Sequence, residues 1–168
     1  MEGDYILNPQ DAELGRTIYF DMDGTIADLY GVTDCFKRLD NNDASVYLEA
    51  KPVPEYVQLM YKARDMGYRV GIITAGSRFP PDTPQPVKDQ MNKDTEEAKR
   101  QWLEQQGLAS LVSVFHFVPY GVSKYDVADD RTGILVDDSD AMLNEWFSDK
   151  IKAIPKNKAI HDNKVVSK

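Results

Sequence analysis

The stretch TIYFDMDGT, residues 17–25, decides how the rest of the chain is read. Its first half, Thr17-Ile18-Tyr19-Phe20, is β-branched and aromatic and is led in by Gly15, which predicts a short buried strand. Its second half sets Asp21 and Asp23 at the carboxyl end of that strand and turns the chain at Gly24. Asp-Gly is a common turn pair, so turn formation alone could account for these two acids.

Outward from this stretch, strand and helix alternate. Residues 54–66 carry Val57, Met60 and Ala63 at helical spacing, with Pro54 at the start and Gly67 just past the end, which predicts an amphipathic helix. Residues 68–74 form a nearly continuous apolar run closed by Ala75 and Gly76, the pattern of a central parallel strand. After a proline-rich loop over 79–86, Asp94 and Glu97 form a capping box for a helix bearing Ala98, Trp102 and Leu103 and stopped by Gly107. Further strands are expected at 112–118, 133–136 and 151–154, with a helix bearing Met142, Leu143, Trp146 and Phe147 between the last two. The two tryptophans and Phe147 are expected in the core. The order predicts an α/β fold, a Rossmann-like doubly wound parallel sheet with helices on both faces and right-handed crossovers. One domain over 1–168 is expected, with a small cap or flap inserted at about 28–52 and a basic tail at about 155–168.

Composition narrows the function classes. With 42% hydrophobic and 29% charged residues the chain is ordinary globular material, and no run is long and apolar enough to span a bilayer. The acidic start lacks the flank and core of a signal peptide, so a cytoplasmic protein without membrane contact is expected. The formal charge of −8 disfavours nucleic acid as a partner. Residues 149–168 go the other way, with six lysines against two aspartates, and read as a solvated tail rather than a binding arm. A single cysteine, Cys35, excludes an internal disulfide and suits a bland cap or core position. His116 and His161 receive no role, and the oligomeric state is not encoded in any pattern.

Ligands of such sheets bind outside the carboxyl ends of the strands. Those ends carry Asp21-Met22-Asp23-Gly24-Thr25, then Thr74-Ala75-Gly76-Ser77, then Lys124, then Asp137-Asp138. Carboxylates gathered there repel one another unless a cation neutralises them, and an all-oxygen set selects a hard ion such as Mg²⁺. The Thr74 hydroxyl and the backbone N–H groups of Ala75 and Gly76 suit phosphate oxygens, and a lysine adds a point charge. Together these parts make a phosphoryl-transfer site in which a carboxylate is the nucleophile. Plainer readings exist for each: a strand-end hydroxyl for Thr74, helix capping for Asp137, Asp138 or Ser139, and solvation for Lys124, which competes with Lys88, Lys93 and Lys99 nearby in sequence.

DMDGT, then Thr74 after an apolar run, then Lys124, then ILVDD, in that order, resembles the haloacid dehalogenase superfamily of phosphatases over about residues 17–154. The resemblance implies Asp21 as nucleophile, Asp23 as acid/base, and Thr74 and Lys124 on the transferring phosphoryl group. It further implies a Mg²⁺ held by Asp21, the backbone carbonyl of Asp23 and Asp138, with Asp137 in a second-shell or water-mediated place. An acid at the position of Asp23 points to ester hydrolysis rather than dehalogenation.

The insert around 28–52 is too short for a full helical cap; short helices are expected at 33–39 and 44–50, bringing Tyr30, Phe36 and Tyr47 over the mouth, to stack on substrate or to pack the cap itself. The run EEAKRQWLEQQG with Lys124 and ILVDDS is similar to the 5′(3′)-deoxyribonucleotidase branch, which implies a small phosphorylated substrate such as a nucleoside monophosphate. The chain departs from that branch at Leu29-Tyr30 and at Ala75-Gly76, both positions of substrate contact. A macromolecular phosphate, on a protein or a polynucleotide end, and a non-catalytic binding module are the alternatives.

Overall fold

The computed structural model describes residues 7–155; the basic tail beyond Pro155, with His161, lies outside the described residues. Five strands form one sheet: β1 (Thr17–Phe20), β4 (Arg69–Ala75), β5 (Val114–Val118), β6 (Ile134–Asp137) and β7 (Lys150–Lys152), in the order β5-β4-β1-β6-β7. Every pairing is parallel, with Ile18 beside both Val70 and Ile134. The expected doubly wound α/β sheet is therefore present, and β1, bearing Asp21 at its end, is its central strand.

Alternation along the strands divides the core. Ile18, Phe20, Val70, Ile72, Ile134 and Val136 point to one face. There they meet α1 (Pro9–Glu13), α3 (Pro54–Met66) and α4 (Gln85–Gln105) through Ala12, Leu59, Met60 and Trp102. Tyr19, Ile73 and Leu135 point to the other face, covered by Leu143 and Trp146 and by the segment after the single-turn helix α5 (Lys124–Val127). The thinner second cover comes from α6 (Asp140–Asn144), which is shorter than the sequence pattern predicts. Lys150 Nζ donates to the carbonyls of Leu143 and Trp146 at 2.8 and 3.0 Å, closing the helix end there. Trp146, its indole N–H on the Gly133 carbonyl, is buried as expected, but Phe147 is 80% exposed and lies edge-on to Tyr125.

The other departure concerns α4. It starts at Gln85, with Pro86 in its first turn, so the prolines of 79–86 initiate the helix instead of separating it from the strand. Asp94 is then a mid-helix residue, accepting from Gln90 Nε2 at 2.8 Å, and no capping box exists. The helix gains length enough to pass beneath the insert.

Within the insert, β2 (Ala27–Asp28) pairs antiparallel with β3 (Lys51–Pro52), enclosing α2 (Cys35–Asp40) and two 3₁₀ segments, Leu29–Gly31 and Ala44–Glu49. Leu29, Cys35, Val46 and Tyr47 bury against one another and against Ala98 of α4. Tyr30 and Phe36 stack at 6.0 Å. Among the described residues, no helix is long and apolar enough to cross a membrane.

Two features at the opposite end of the sheet set measurable stability. A Cβ on Gly133 would lie 2.7 Å from the Thr17 carbonyl oxygen and 3.0 Å from that of Asp130, backbone atoms that cannot yield. Gly133→Ala is expected to destabilise by about 1–3 kcal/mol, read as a lower urea midpoint at unchanged slope. Asp129 accepts from Tyr19 at 2.6 Å, pairs with His116 at 2.9 Å and meets Arg69. Partial burial pushes this carboxyl up, but these partners outweigh it and hold it well below the usual range. A depressed folded-state value means stability that is present above the unfolded value, about pH 4, and is lost as pH falls below it. Acid titration of stability should thus be less steep below about pH 4 in Asp129→Asn than in the parent chain; equal slopes would remove Asp129 from the acid response.

Candidate functional site

The chain leaves β1 through a tight loop. Asp21 N–H donates to Val136 O at 2.9 Å, Thr25 and Ala27 N–H both donate to Met22 O, and Gly24 N–H donates to Ala27 O. Gly24 has φ +81°, and a Cβ there would meet Asp138 Oδ2 at 2.6 Å and the Tyr30 ring at 2.8 Å. Glycine at 24 thus allows both the turn and the approach of Asp138.

Asp21, Asp137 and Asp138 converge, each offering an oxygen within 4.8 Å of the others. Lys124, at the start of α5 and 2% exposed, bridges two of them, with Nζ 2.9 Å from Asp21 Oδ1 and 2.7 Å from Asp137 Oδ2. Burial works against its charge, but the two carboxylates outweigh burial and raise the ammonium above its ordinary range. Asp137 also accepts the Ser139 N–H at 3.0 Å, while the Ser139 hydroxyl caps α6. The Asp138 carboxylate faces Asp21, and among the described residues it forms no lysine ion pair; burial first, then the charges of Asp21 and Asp137, drive it strongly upward. Burial and Asp21 also raise Asp137.

This donor set fits a hard divalent cation, being all oxygen and gathered within a small space. Of the three carboxylates, Asp137 is already engaged by Lys124 and by the Ser139 N–H.

The second-strand end differs from expectation in two ways. Gly76 N–H donates to Val118 O at 2.7 Å, extending the β4–β5 ladder, so it is not available as the phosphate donor assigned to it. Glycine is needed there for packing, since a Cβ would lie 2.8 Å from Asn92 Oδ1 of α4. Ala75 lines the cavity, but its carbonyl accepts from a group that the sequence reading passed over, Lys99 Nζ, at 2.9 Å.

Lys99 is 1% exposed, and its ammonium also reaches Asp23 Oδ2 at 2.9 Å and Thr74 Oγ1 at 2.7 Å, over the face of Tyr47. Its three donors therefore meet three acceptors. Burial raises the Asp23 carboxyl and Lys99 opposes the rise. Because Thr74 accepts from Lys99, its own hydrogen is left to donate elsewhere. The signal was present in the sequence: positions 91, 95, 98, 99 and 102 trace the buried stripe of α4, and a lysine stands on it. Of the cap aromatics, Tyr30 lines the cavity, while Tyr47 packs under the cap with its hydroxyl 2.9 Å from Ser77 Oγ.

No protein-family model matches the chain, and no curated protein does. Among solved structures, it is similar to a chain of the Pnkp1/Rnl/Hen1 complex, with a TM-score of 0.57 and 13% identity over 82% of this chain and 45% of that one. A second structure, of the Pnkp1/Rnl/Hen1 RNA repair complex, gives 0.50 and 14% over 82% and 43%. D,D-heptose 1,7-bisphosphate phosphatase from Burkholderia thailandensis gives 0.47 and 16% over 88% and 84%. The chain spans less than half the length of the first two.

Lys99 is buried but the Asp23 side chain is 22% exposed, so removing the lysine leaves a partly solvated charge, at a cost of about 1–3 kcal/mol. Lys99→Met should destabilise on that scale, and Lys99→Met with Asp23→Asn should recover part of the loss in a denaturation cycle; strictly additive losses would dissolve the pair. The likeness to the Pnkp1/Rnl/Hen1 chains, at 13% and 14% identity, establishes the fold alone, a doubly wound parallel α/β sheet.

Proposed function

We propose that the chain is a Mg²⁺-dependent phosphomonoester hydrolase that works through an aspartyl phosphate on Asp21, acting on a small phosphorylated metabolite such as a nucleoside monophosphate. The observation that carries this reading is the convergence of Asp21, Asp137 and Asp138 around Lys124 at the strand ends, with Asp23 close by on Lys99. The resemblance of the four strand-end stretches to haloacid dehalogenase phosphatases supports it independently.

On this reading Asp21 and Asp138, with the backbone carbonyl of Asp23, hold the cation, which when bound neutralises charge on the phosphoryl group. Lys124 fixes the Asp21 carboxylate, and the Thr74 hydroxyl, accepting from Lys99, donates its hydrogen to a phosphoryl oxygen. Asp21 attacks phosphorus, the ester P–O bond breaks, and the leaving oxygen takes a proton from Asp23. Asp23 then removes a proton from water, whose oxygen attacks phosphorus and returns Asp21 as a carboxylate. Lys99 holds the Asp23 side chain in reach of both steps.

Hydrolysis of an aryl phosphate is expected to require Mg²⁺ and to stop with EDTA; full rate in metal-free buffer ends the reading. Asp21→Asn should abolish turnover while inorganic phosphate still binds. Asp23→Asn should slow turnover by about 10²–10⁴, more for alkyl than for activated aryl esters. Two displacements give retention of configuration at phosphorus, whereas inversion would mean direct attack by water and reduce Asp21 to a metal ligand.

A further inference from the structure

The cavity that contains Asp21 has a volume of about 450 Å³. A phosphate and a cation fill a minor part of such a space, and the remainder is of a size that takes a small organic group. Its outer wall comes from residues outside the four strand-end stretches, chiefly Tyr120, Met142 and Pro155.

Tyr120 stands at the corner of a turn in which Val122 N–H donates to Pro119 O at 3.2 Å, and Gly121 takes the φ of +89° that the turn requires. The turn precedes Lys124 directly, so Tyr120 is held at a fixed place on the lip. It is 56% exposed, and among the described residues it forms no hydrogen bond, ion pair or ring contact. An aromatic ring held by a turn beside a polar cavity, with no internal partner, is an unfilled stacking face.

The charges on the lip select what can stack there. Lys152 is matched by Asp140 at 2.7 Å and also donates to the Asp138 carbonyl at 2.8 Å, and Lys124 is bound between Asp21 and Asp137. These lysines are the cavity's cations among the described residues, and both are paired. Among the described residues, a second phosphate or a polynucleotide backbone would meet Asp140 and find no unpaired cation.

We propose that Tyr120, with Met142 and Pro155, forms a leaving-group subsite for a flat, uncharged aromatic group, an aryl ring or a nucleobase, on a phosphate monoester. This rests on the phosphatase reading and makes Tyr120 its specificity-determining residue.

The test is calorimetric binding to full-length protein carrying Asp21→Asn, in Mg²⁺ buffer, with and without Tyr120→Ala or Tyr120→Phe. The probes are phenyl phosphate, adenosine 5′-monophosphate, glycerol phosphate, inorganic phosphate and an oligonucleotide 3′-phosphate. Tyr120→Ala is expected to weaken phenyl phosphate, adenosine monophosphate or both about tenfold. Glycerol phosphate and inorganic phosphate should stay within about twofold, and Tyr120→Phe should keep the ring's contribution. Which aromatic probe loses more separates the aryl from the nucleobase source. Equal loss on every probe would mean that the turn merely places Lys124, and no loss on either aromatic probe would leave Tyr120 idle; both overturn the subsite. Preference for the oligonucleotide end would overturn it too, in favour of a macromolecular substrate. If inorganic phosphate binds neither to the Asp21→Asn protein nor to the parent chain, with Tyr120 intact in both, the phosphatase reading fails, and the subsite falls with it.

Discussion

Two buried ammonium groups, Lys99 and Lys124, make the carboxyl end of this sheet possible. Asp21, Asp23 and Asp137 are drawn together by the ends of β1 and β6, and carboxylates at such spacing in a partly dry environment would each favour a proton over a charge. Lys124 spans Asp21 and Asp137, and Lys99 spans Asp23, Thr74 and a backbone carbonyl, so each cation touches at least two separate elements. Burying a lysine costs several kcal/mol unless its charge and donors are met, and here every contact that meets them, apart from that to the Ala75 carbonyl, also fixes a side chain of the candidate site. Stability and site geometry are set by the same bonds.

The placement of Lys99 explains the proportions of the molecule. A cation delivered to the end of β4 from outside the sheet needs a helix that runs past that end, and α4, starting among prolines at Gln85, is that helix. Its inner face carries Thr95, Lys99 and Trp102, and Ala98 beside them packs into the cap cluster, whose Tyr47 covers the Lys99 ammonium. Trp102 adds a hydrogen bond to the Ala50 carbonyl at 2.8 Å, where the cap returns to the body. Cap and site are therefore joined through one helix. A cap this small is held by packing on α4 rather than by its own core.

Much of this was legible in the sequence, for identifiable reasons. The strands were readable because a parallel sheet covered on both faces needs unbroken apolar runs such as Val70 to Ile73, and the strand-end acids because they follow those runs directly. The start of α4 was not, since proline in a first helical turn and proline in a loop look alike until the helix is seen to continue. Phe147 looked like core because helical spacing was extended past Asn144, where α6 ends and Lys150 caps its Leu143 carbonyl. Gly76 looked like a phosphate donor because the parallel register that commits its N–H to Val118 depends on a partner strand more than forty residues away. Lys99 was hidden by the habit of reading lysine as solvated, although its position on the buried stripe of α4 contradicted that habit.

The two halves of the cavity obey different constraints. On the inner side nearly every polar atom has a partner within the chain, and that preorganisation is what electrostatic stabilisation of a developing charge requires. It also leaves little freedom, because changing Lys99, Lys124 or Gly24 disturbs several contacts at once. On the lip, Tyr120 and Met142 come from the β5–α5 loop and from α6, bear no charge, and can change without exposing a buried ion. Under the proposed function, chemistry is fixed by residues that the fold cannot release, and selectivity by residues it does not need. Motif patterns at strand ends can then identify a reaction type while remaining silent about the substrate, since the residues that would choose the leaving group stand outside every one of those patterns.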